Sequence, residues 1–199
     1  MLDKKQQTIN TYNTTAYNMA EKFDAFGARV DDIEETFKLI SKENPFVLEI
    51  GCGSGRDAME ICKHTNNYLG IDITEKFLEI ANKKVPKGKF EIADIENYIF
   101  PKNVDIIFAF ASLIHSPKAI MKQIFKSIYA ALNDNGVAYF SMKYKEDYQE
   151  ITKEDEHGIR TYYFYSTKDI EDMATDFNII KNKIRKVENQ VWLEVLLQK

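Results

Sequence analysis

Short apolar runs alternate with amphipathic stretches along most of the chain. Residues 31–41 carry apolar side chains at helical spacing and charged side chains at the other positions, which predicts an amphipathic helix. Further along, runs rich in β-branched and aromatic residues predict strands. The predicted strands cover residues 46–50, 67–72, 89–94, 104–110 and 136–142, and the predicted helices between them cover 55–64, 75–84 and 117–132.

The pattern changes after the fifth predicted strand. Residues 144–165 are polar and aromatic, residues 166–177 begin like a capped helix, and residues 178–187 and 191–198 have the pattern of two strands. Two consecutive strands with a short link predict an antiparallel hairpin, whereas the repeated β-α units before them predict a parallel sheet. We therefore predict an α/β fold: a doubly wound, mostly parallel seven-stranded sheet with an antiparallel C-terminal hairpin edge and helices on both faces.

Composition and charge limit the partners of the chain. Its 199 residues, 44% of them hydrophobic, are enough to bury one sizeable core, so we expect a single domain over residues 1–199. The net charge of −4 makes nucleic acid an unlikely partner, and no segment has the apolar length of a membrane span. Without a signal-peptide pattern, we expect a cytoplasmic protein with no membrane partner. Two cysteines and three scattered histidines predict neither a disulfide framework nor a metal site.

The stretch "EIGCGSG" places three glycines directly behind the first predicted strand. In an open parallel sheet, ligands bind beyond the carboxyl ends of the strands, and glycine lets a ligand approach the main chain closely. A dinucleotide is the first ligand to consider, but its fingerprint needs a third glycine where this chain has Arg56. Glu49, just before the glycines, would repel a phosphate and attract an ammonium group. We therefore expect a ligand with a cationic amino group near the turn.

Two more carboxylates follow at the ends of predicted strands. Asp72 ends the second strand, where an acidic side chain can accept hydrogen bonds from ribose hydroxyls. Asp94 ends the third strand and could accept from the amino group of an adenine. An amino-acid head, a ribose and an adenine together describe S-adenosylmethionine.

Four successive motifs carry a family resemblance. "VLEIGCGSG", "YLGIDIT", "FEIADI" and "VDIIFAFASLIHSP" resemble, in order and spacing, the motifs of class I S-adenosylmethionine-dependent methyltransferases. The resemblance covers roughly residues 46–143, and the flanks are similar to short bacterial methyltransferases whose substrates are mostly unassigned. It implies that S-adenosylmethionine is the cofactor and that Tyr12 or Tyr17 closes the site. The implied cofactor-binding residues are Tyr17, Glu49, Gly51, Cys52, Gly53, Gly55, Asp72, Ile73, Phe77, Asp94, Ile95, Phe110 and Ala111.

The resemblance also divides the chain into functional segments. We expect residues 1–44 to form an N-terminal helical cap and residues 45–143 the cofactor-binding core. Residues 144–165 would form an insert on the substrate side, and residues 166–199 the C-terminal helix and hairpin.

His115 is the sharpest catalytic candidate outside the cofactor motifs. It follows the fourth predicted strand, where the methyl acceptor should lie, and a neutral imidazole there could take a proton from an attacking group. The alternative is a polar loop histidine that caps the next helix. The candidates for the substrate side are Tyr12, His115, Arg160 and Tyr165. Of the tyrosines at 162, 163 and 165, at least one should belong to the core, because neighbours on a strand point to opposite faces.

We therefore expect a methyltransferase that acts on a small-molecule acceptor by in-line transfer, in which a catalytic base is optional. The loop "FASLIH" lacks the Asp/Asn-Pro-Pro-aromatic signature of amino-group methylases of adenine or glutamine, which disfavours those classes. Two alternatives remain. The chain could be a non-catalytic interaction domain that binds S-adenosylmethionine or S-adenosylhomocysteine, or a methyltransferase of a protein or RNA substrate.

Overall fold

A computed structural model describes residues 3–199, which form six α-helices and nine strands. The helices are α1 (Lys4–Asp24), α2 (Val30–Phe37), α3 (Ala58–His64), α4 (Glu75–Lys84), α5 (Lys118–Ala131) and α6 (Thr167–Met173). The strands are β1 (Val47–Ile50), β2 (Tyr68–Asp72), β3 (Lys89–Ile92), β4 (Val104–Phe110), β5 (Leu132–Tyr144), β6 (Gln149–Asp155), β7 (Gly158–Tyr165), β8 (Asn178–Val187) and β9 (Gln190–Gln198). No helix within this range is both long and apolar enough to cross a membrane.

A single sheet organises the fold. Strands β3, β2, β1, β4 and β5 lie side by side and parallel, and β9 and then β8 continue the sheet in antiparallel pairing. The order of the strands reverses between β1 and β4, so a crevice opens beyond their carboxyl ends. This confirms the predicted doubly wound, mostly parallel sheet with an antiparallel C-terminal hairpin.

Helices cover both faces of the sheet because the central strands are apolar on both sides. Every residue of β4 is buried. On one face, Ile107 and Phe140 pack against α5 through Phe125 and its apolar neighbours. On the other face, Ile106 and Phe108 belong to the core that α2 and α3 complete. Near-continuous apolar strands of this kind are typical of a sheet buried between two helical layers.

The polar and aromatic insert forms a hairpin that the sequence pattern did not predict. Strands β6 and β7 pair antiparallel, and β7 joins β5 where Lys143 lies beside Phe164. Strand β4 pairs with this edge of β5 as far as Ser141, and β7 pairs with the same edge from Lys143 onwards. The alternation in "QEITKED" is weak because β6 is largely exposed on both sides. A strand that is stabilised mainly by pairing with its neighbour does not need the alternation of apolar and polar residues that predicts a strand.

Helix α1 is held along the free edge of β7. The hydroxyl of Thr11 donates to the carbonyl of Ile159 at 2.7 Å, and the backbone N–H of Thr161 donates to the hydroxyl of Thr8 at 3.1 Å. Farther along α1, Met19 packs with Phe77 of α4. The helix therefore lies across the mouth of the crevice, fixed to the insert at one end and to α4 at the other.

Several predicted boundaries shift for local reasons. The segment predicted as a helix over 55–64 begins only at Ala58, because the preceding residues form the glycine turn. Strand β5 extends over 132–144 instead of 136–142, since Leu132 pairs with Val104 of β4 and residues 143–144 pair with β7. Asp105 accepts hydrogen bonds from Lys42, from the backbone of Phe46 and from Asn133, which supports the expectation that it is structural.

Candidate functional site

A cavity of about 430 Å³ occupies the crevice at the carboxyl ends of the parallel strands. The glycine turn and the ends of β1, β2 and β4 form one part of its wall. Helix α1 forms the roof over that wall. Most of the residues expected to bind a cofactor line it: Glu49, Gly51, Cys52, Gly53, Asp72, Ile73, Phe77, Asp94, Ile95, Phe110 and Ala111.

The glycine turn owes its shape to two different needs. Gly51 has φ +69°, and a Cβ there would lie 2.2 Å from the Cβ of Ser112, so no other residue fits this close approach to the loop after β4. Gly53 has φ +53°, but a Cβ there would meet no atom within 4 Å. Gly51 is thus required by the packing of the protein, whereas the space beside Gly53 is left open to a ligand.

Gly55 corrects one expectation. It does not line the cavity; its Cβ position would lie 3.2 Å from Ala81 of α4. With φ +79°, it allows the turn to pack closely on that helix. The third glycine is therefore needed for helix packing and makes no contact with the cavity.

Asp72 ties the glycine turn to the start of α4. One carboxylate oxygen accepts from the backbone N–H of Gly53 at 2.9 Å, and the other accepts from Thr74 at 2.8 Å. Burial raises the pKa of Asp72, although these donors oppose the rise. Each oxygen keeps a second lone pair, so the side chain can still accept two hydrogen bonds from the cavity.

Glu49 lies buried beneath the turn. Its Oε2 accepts from the hydroxyl of Tyr68 at 2.6 Å. Burial and the negative charge of Asp57 raise the pKa of Glu49 well above its usual range, while Arg29 acts in the opposite direction. A positive group in the cavity would favour the ionised carboxylate. The thiol of Cys52 is also buried and its pKa is raised, which agrees with a small packing residue more than with a nucleophile.

Arg29 is a site residue that the sequence patterns missed. Its guanidinium donates to buried Asp57 at 2.7 Å and lies 5.1 Å from the ring centroid of Phe110. Arg56, which stands in place of a dinucleotide-type glycine, also donates to Asp57, at 2.5 Å, and to the backbone of Phe23. These contacts join the end of α1 to the glycine turn. No local pattern connects Arg29 with Asp57, because tertiary folding alone brings them together.

His115 and Tyr12 meet at the opposite wall. The Nδ1 of His115 lies 2.6 Å from the carbonyl of Thr161, and its Nε2 lies 2.9 Å from the hydroxyl of Tyr12. A carbonyl only accepts, so Nδ1 carries the proton and Nε2 accepts from Tyr12. Enclosure by protein lowers the pKa of His115 to about 4. The imidazole is therefore neutral near pH 7 and holds the tyrosine hydroxyl in place.

Tyr17 and Tyr165 lie outside the cavity, which corrects both expectations. Tyr17 is 58% exposed, because five residues of helix turn it about 140° from Tyr12. Tyr165 is fully buried, and its hydroxyl donates to the carbonyl of Ser116 at 2.5 Å. Tyr163 lines the cavity instead.

Arg160 does not line the cavity either. Its guanidinium lies 5.6 Å and 5.7 Å from the ring centroids of Tyr12 and Tyr162, and it pairs with Asp155. It stands behind the rings that enclose His115.

The cavity continues beyond the glycine turn into a second part with both apolar and polar walls. This part lies between the start of α1, the loop before α5 and the insert. Its walls include Thr8, Ile9, Leu113, Pro117, Ile120 and Tyr163. At its edge, Lys5 donates to Asp94 at 2.6 Å. Ala111, with φ +52°, lies between the two parts, and its backbone N–H donates to Ser141. A non-glycine residue in this conformation is strained, and such strain is common at functional sites.

We expect His115 to make the fold sensitive to acid. Its pKa of about 4 lies below the ordinary value of 6.5, so the unfolded chain gains a proton first as the pH falls. Stability should then decrease from about pH 6.5 downwards, until the folded state is also protonated. From pH 7 to pH 5, the free energy of unfolding should fall in both proteins, and the fall should be roughly 1–2 kcal/mol larger in the native protein than in His115→Gln. Urea denaturation at both pH values measures this.

The control is His157→Gln, a substitution at a histidine in the turn between β6 and β7. It should retain the full loss seen in the native protein. If His115→Gln lost as much stability as the native protein, burial of a neutral imidazole would not be the cause.

Comparisons with known proteins agree with this geometry. The model of a family described as "Methyltransferase domain" matches residues 47–136. A malonyl-[acyl-carrier protein] O-methyltransferase from Ilyobacter polytropus is 28% identical over 150 residues, which cover 73% of this chain and 51% of that protein. A sterol 24-C-methyltransferase from Debaryomyces hansenii is 27% identical over 140 residues, which cover 64% of this chain and 35% of that protein. The chain thus spans about half, or less, of the length of these relatives.

A solved structure matches over the whole chain. The magnesium protoporphyrin IX methyltransferase of Synechocystis PCC 6803 with bound S-adenosylmethionine has a TM-score of 0.73 and 15% identity, covering 100% of this chain and 98% of that one. At this identity the likeness concerns the fold. Residues 47–136, which carry the glycine turn and Asp72, are thus similar to a methyltransferase domain, and the strand order agrees with the fold of that solved structure.

Proposed function

We propose that the protein transfers the methyl group of S-adenosylmethionine to a small-molecule acceptor by in-line displacement. One observation supports this most directly. A single cavity contains a glycine turn with an adjoining ribose-type carboxylate at one end, and a tyrosine held by a neutral histidine at the other. Ligand binding and positioning of an acceptor would thereby be combined in one cavity.

The residues around the turn fit this cofactor. The space beside Gly53 is open, Asp72 has two lone pairs free, and Glu49 together with Asp72 favours a positive ligand over a phosphate. Asp72 would hold the ribose, Ile73 and Phe77 would flank the adenine, and Asp94 would accept from its amino group. Glu49 would attract the ammonium of the methionine part. When bound, S-adenosylmethionine supplies a methyl group activated by its sulfonium.

The second part of the cavity supports a small acceptor. It is enclosed by α1, which Thr8 and Thr11 attach to β7, so the acceptor would lie under a helix and not in an open groove. Its apolar walls would exclude water from the reacting atoms. An RNA or protein substrate would need an exposed surface at this point, and α1 covers it.

The Tyr12–His115 pair would position the acceptor and would not act as a strong base. The low pKa of the imidazole makes it a weak proton acceptor near pH 7, and burial raises the pKa of the Tyr12 hydroxyl far above neutrality. His115 fixes the direction of the tyrosine O–H bond, and the oxygen of Tyr12 is left to accept a hydrogen bond from the acceptor. Orientation and loss of water then supply most of the rate enhancement.

Two glycines form a matched pair that tests the cofactor assignment. Gly53 and Gly27 both have a positive φ, and a Cβ at either position would meet no protein atom within 4 Å, but only Gly53 lines the cavity. We expect Gly53→Ala and Gly27→Ala each to lower the free energy of unfolding by about 1 kcal/mol. Only Gly53→Ala should weaken binding of S-adenosylhomocysteine in calorimetry, by at least ~10-fold, or ~1.4 kcal/mol.

The native protein should bind S-adenosylhomocysteine and not NAD. Binding of NAD in this cavity, or equal effects of the two glycine variants on S-adenosylhomocysteine affinity, would refute the cofactor assignment.

The positioning role predicts a specific pattern of kinetics. A screen of pooled metabolites that follows S-adenosylhomocysteine release should first identify an acceptor. With it, Tyr12→Phe and His115→Gln should each lower kcat by ~10–100-fold through misplacement of the acceptor, while cofactor affinity stays unchanged. His157→Gln should have no effect. The kcat of the native protein should be independent of pH between 6 and 8.

Other outcomes separate the alternatives. A fall in kcat with an apparent pKa near neutrality, abolished by His115→Gln, would assign general-base catalysis to the histidine. Tight binding of S-adenosylhomocysteine with no turnover of any acceptor would favour the non-catalytic interaction domain.

A further inference from the structure

A lysine surrounded by aromatic rings lies at the end of β5. Lys143 lies in register between Phe164 of β7 and Trp192 of β9. Its ammonium is 4.7 Å from the ring centroid of Trp192 and 5.3 Å from that of Tyr162. The one hydrogen bond recorded for its ammonium goes to the neutral amide of Gln190, at 3.0 Å.

Two further cations share this face of the sheet. Arg160 lies two residues before Tyr162 on β7, and Lys153 lies opposite Arg160 on β6. Side chains at alternate positions of a strand share a face, so all three cations project from the same side of the sheet. We call Lys143, Lys153 and Arg160 the cation cluster.

The cation cluster is short of negative charge. Arg160 pairs with Asp155, but within residues 3–199 no carboxylate oxygen lies within 4 Å of the ammonium of Lys143 or Lys153. The side chain of Arg160 is only 8% exposed, and its buried Nε has no hydrogen-bond partner within residues 3–199. Burial and the charges of Lys153 and Arg160 lower the pKa of Lys143 to about 8. Lys143 is half-buried and has no carboxylate partner, so an anion bound beside it would stabilise this arrangement.

The cation cluster lies next to the acceptor side of the cavity. The ring of Tyr162 separates Lys143 from His115, and the ring centroids of Tyr162 and His115 are 5.0 Å apart. Arg160 also lies against Tyr12, which holds the other side of the imidazole. None of the three cations lines the cavity, so an acceptor that contacts Tyr12 would reach them by extending past the rings of Tyr12 and Tyr162.

We propose that the cation cluster binds an oxyanion, a carboxylate or a phosphate, carried by the methyl acceptor, so that the acceptor is an acid. This inference rests on the proposed function and specifies its substrate class. The planar guanidinium of Arg160 and the ammonium of Lys143 are the donors that suit such a group. Tyr162 and Trp192 would contact the adjoining part of the acceptor, and its nucleophilic atom would lie toward Tyr12.

Trp192 is the only tryptophan of the chain and reports on the cation cluster directly. Sodium acetate and inorganic phosphate serve as probes, with acetamide as the neutral counterpart of acetate and total ionic strength held constant with sodium chloride. The tryptophan fluorescence of the full chain should change saturably with acetate, phosphate or both, and not with acetamide. The stronger of the two responses identifies the preferred oxyanion.

Lys143→Met should weaken the fluorescence response at least ~10-fold, since it removes a charged hydrogen-bond donor. Lys186→Met is the matched control, because it makes the same charge change on the opposite face of the hairpin. Arg185 pairs with Trp192, and the side chain of the next residue, Lys186, points to the other face. It should leave the response unchanged. No saturable response in the native protein, or equal responses in the native protein and Lys143→Met, would overturn the proposal.

The acceptor itself gives the second test. The screen for S-adenosylhomocysteine release should compare acids with their neutral amides, and only the acids should be methylated. With such an acid, Lys143→Met should raise KM at least ~10-fold, whereas kcat should change much less and cofactor affinity should stay the same. Turnover restricted to neutral acceptors would overturn the acid assignment while the methyltransferase function stands. Fluorescence responses without turnover of any acceptor would overturn the methyltransferase function. The cation cluster would then bind an oxyanion that does not belong to a methyl acceptor.

Discussion

The free backbone edge of β7 organises the wall of the cavity around Tyr12 and His115. Beyond its short pairing with β5, this edge carries amide and carbonyl groups that need partners. Thr8 accepts from the N–H of Thr161, His115 donates to the carbonyl of the same residue, and Thr11 donates to Ile159. The unpaired edge of β7 thus holds α1 and the loop after β4 beside the insert. The position of Tyr12, and the roof of the cavity, follow from these contacts.

Charge is distributed unequally between the two ends of the site. Carboxylates lie around the glycine turn, where Glu49 and Asp72 face the cavity and Arg29 neutralises Asp57. Cations lie beyond Tyr162, where Lys143, which has no carboxylate partner within residues 3–199, and Arg160, which pairs with Asp155, meet its ring. This separation agrees with the proposal of a cationic cofactor at one end and an anionic acceptor at the other. Between them, the neutral His115 adds no charge, and it keeps Tyr12 in one orientation.

The low basicity of His115 also constrains the proposed methyl transfer. Methyl transfer to an atom that is already nucleophilic needs alignment more than proton removal. The carbonyl of Thr161 orients His115, His115 in turn holds the hydroxyl of Tyr12, and the N–H of the strained Ala111 donates to Ser141. Precise placement, and not a reactive side chain, is what this arrangement provides.

The sequence by itself determined the local features. Apolar runs and glycines predicted β4 over 104–110 and α4 over 75–84, and the spacing from the glycines to Asp72 indicated a nucleoside-type ligand, because these signals depend on neighbours along the chain. Only the tertiary structure decided which side chains meet. It paired Arg29 with Asp57, put Tyr12 rather than Tyr17 at the cavity, placed Tyr165 in the core and made strands of the polar insert. Arg29 and Asp57 are 28 residues apart and Tyr12 and His115 are 103 apart, and a hydrophobic periodicity, which depends on neighbouring residues, does not report contacts over such separations.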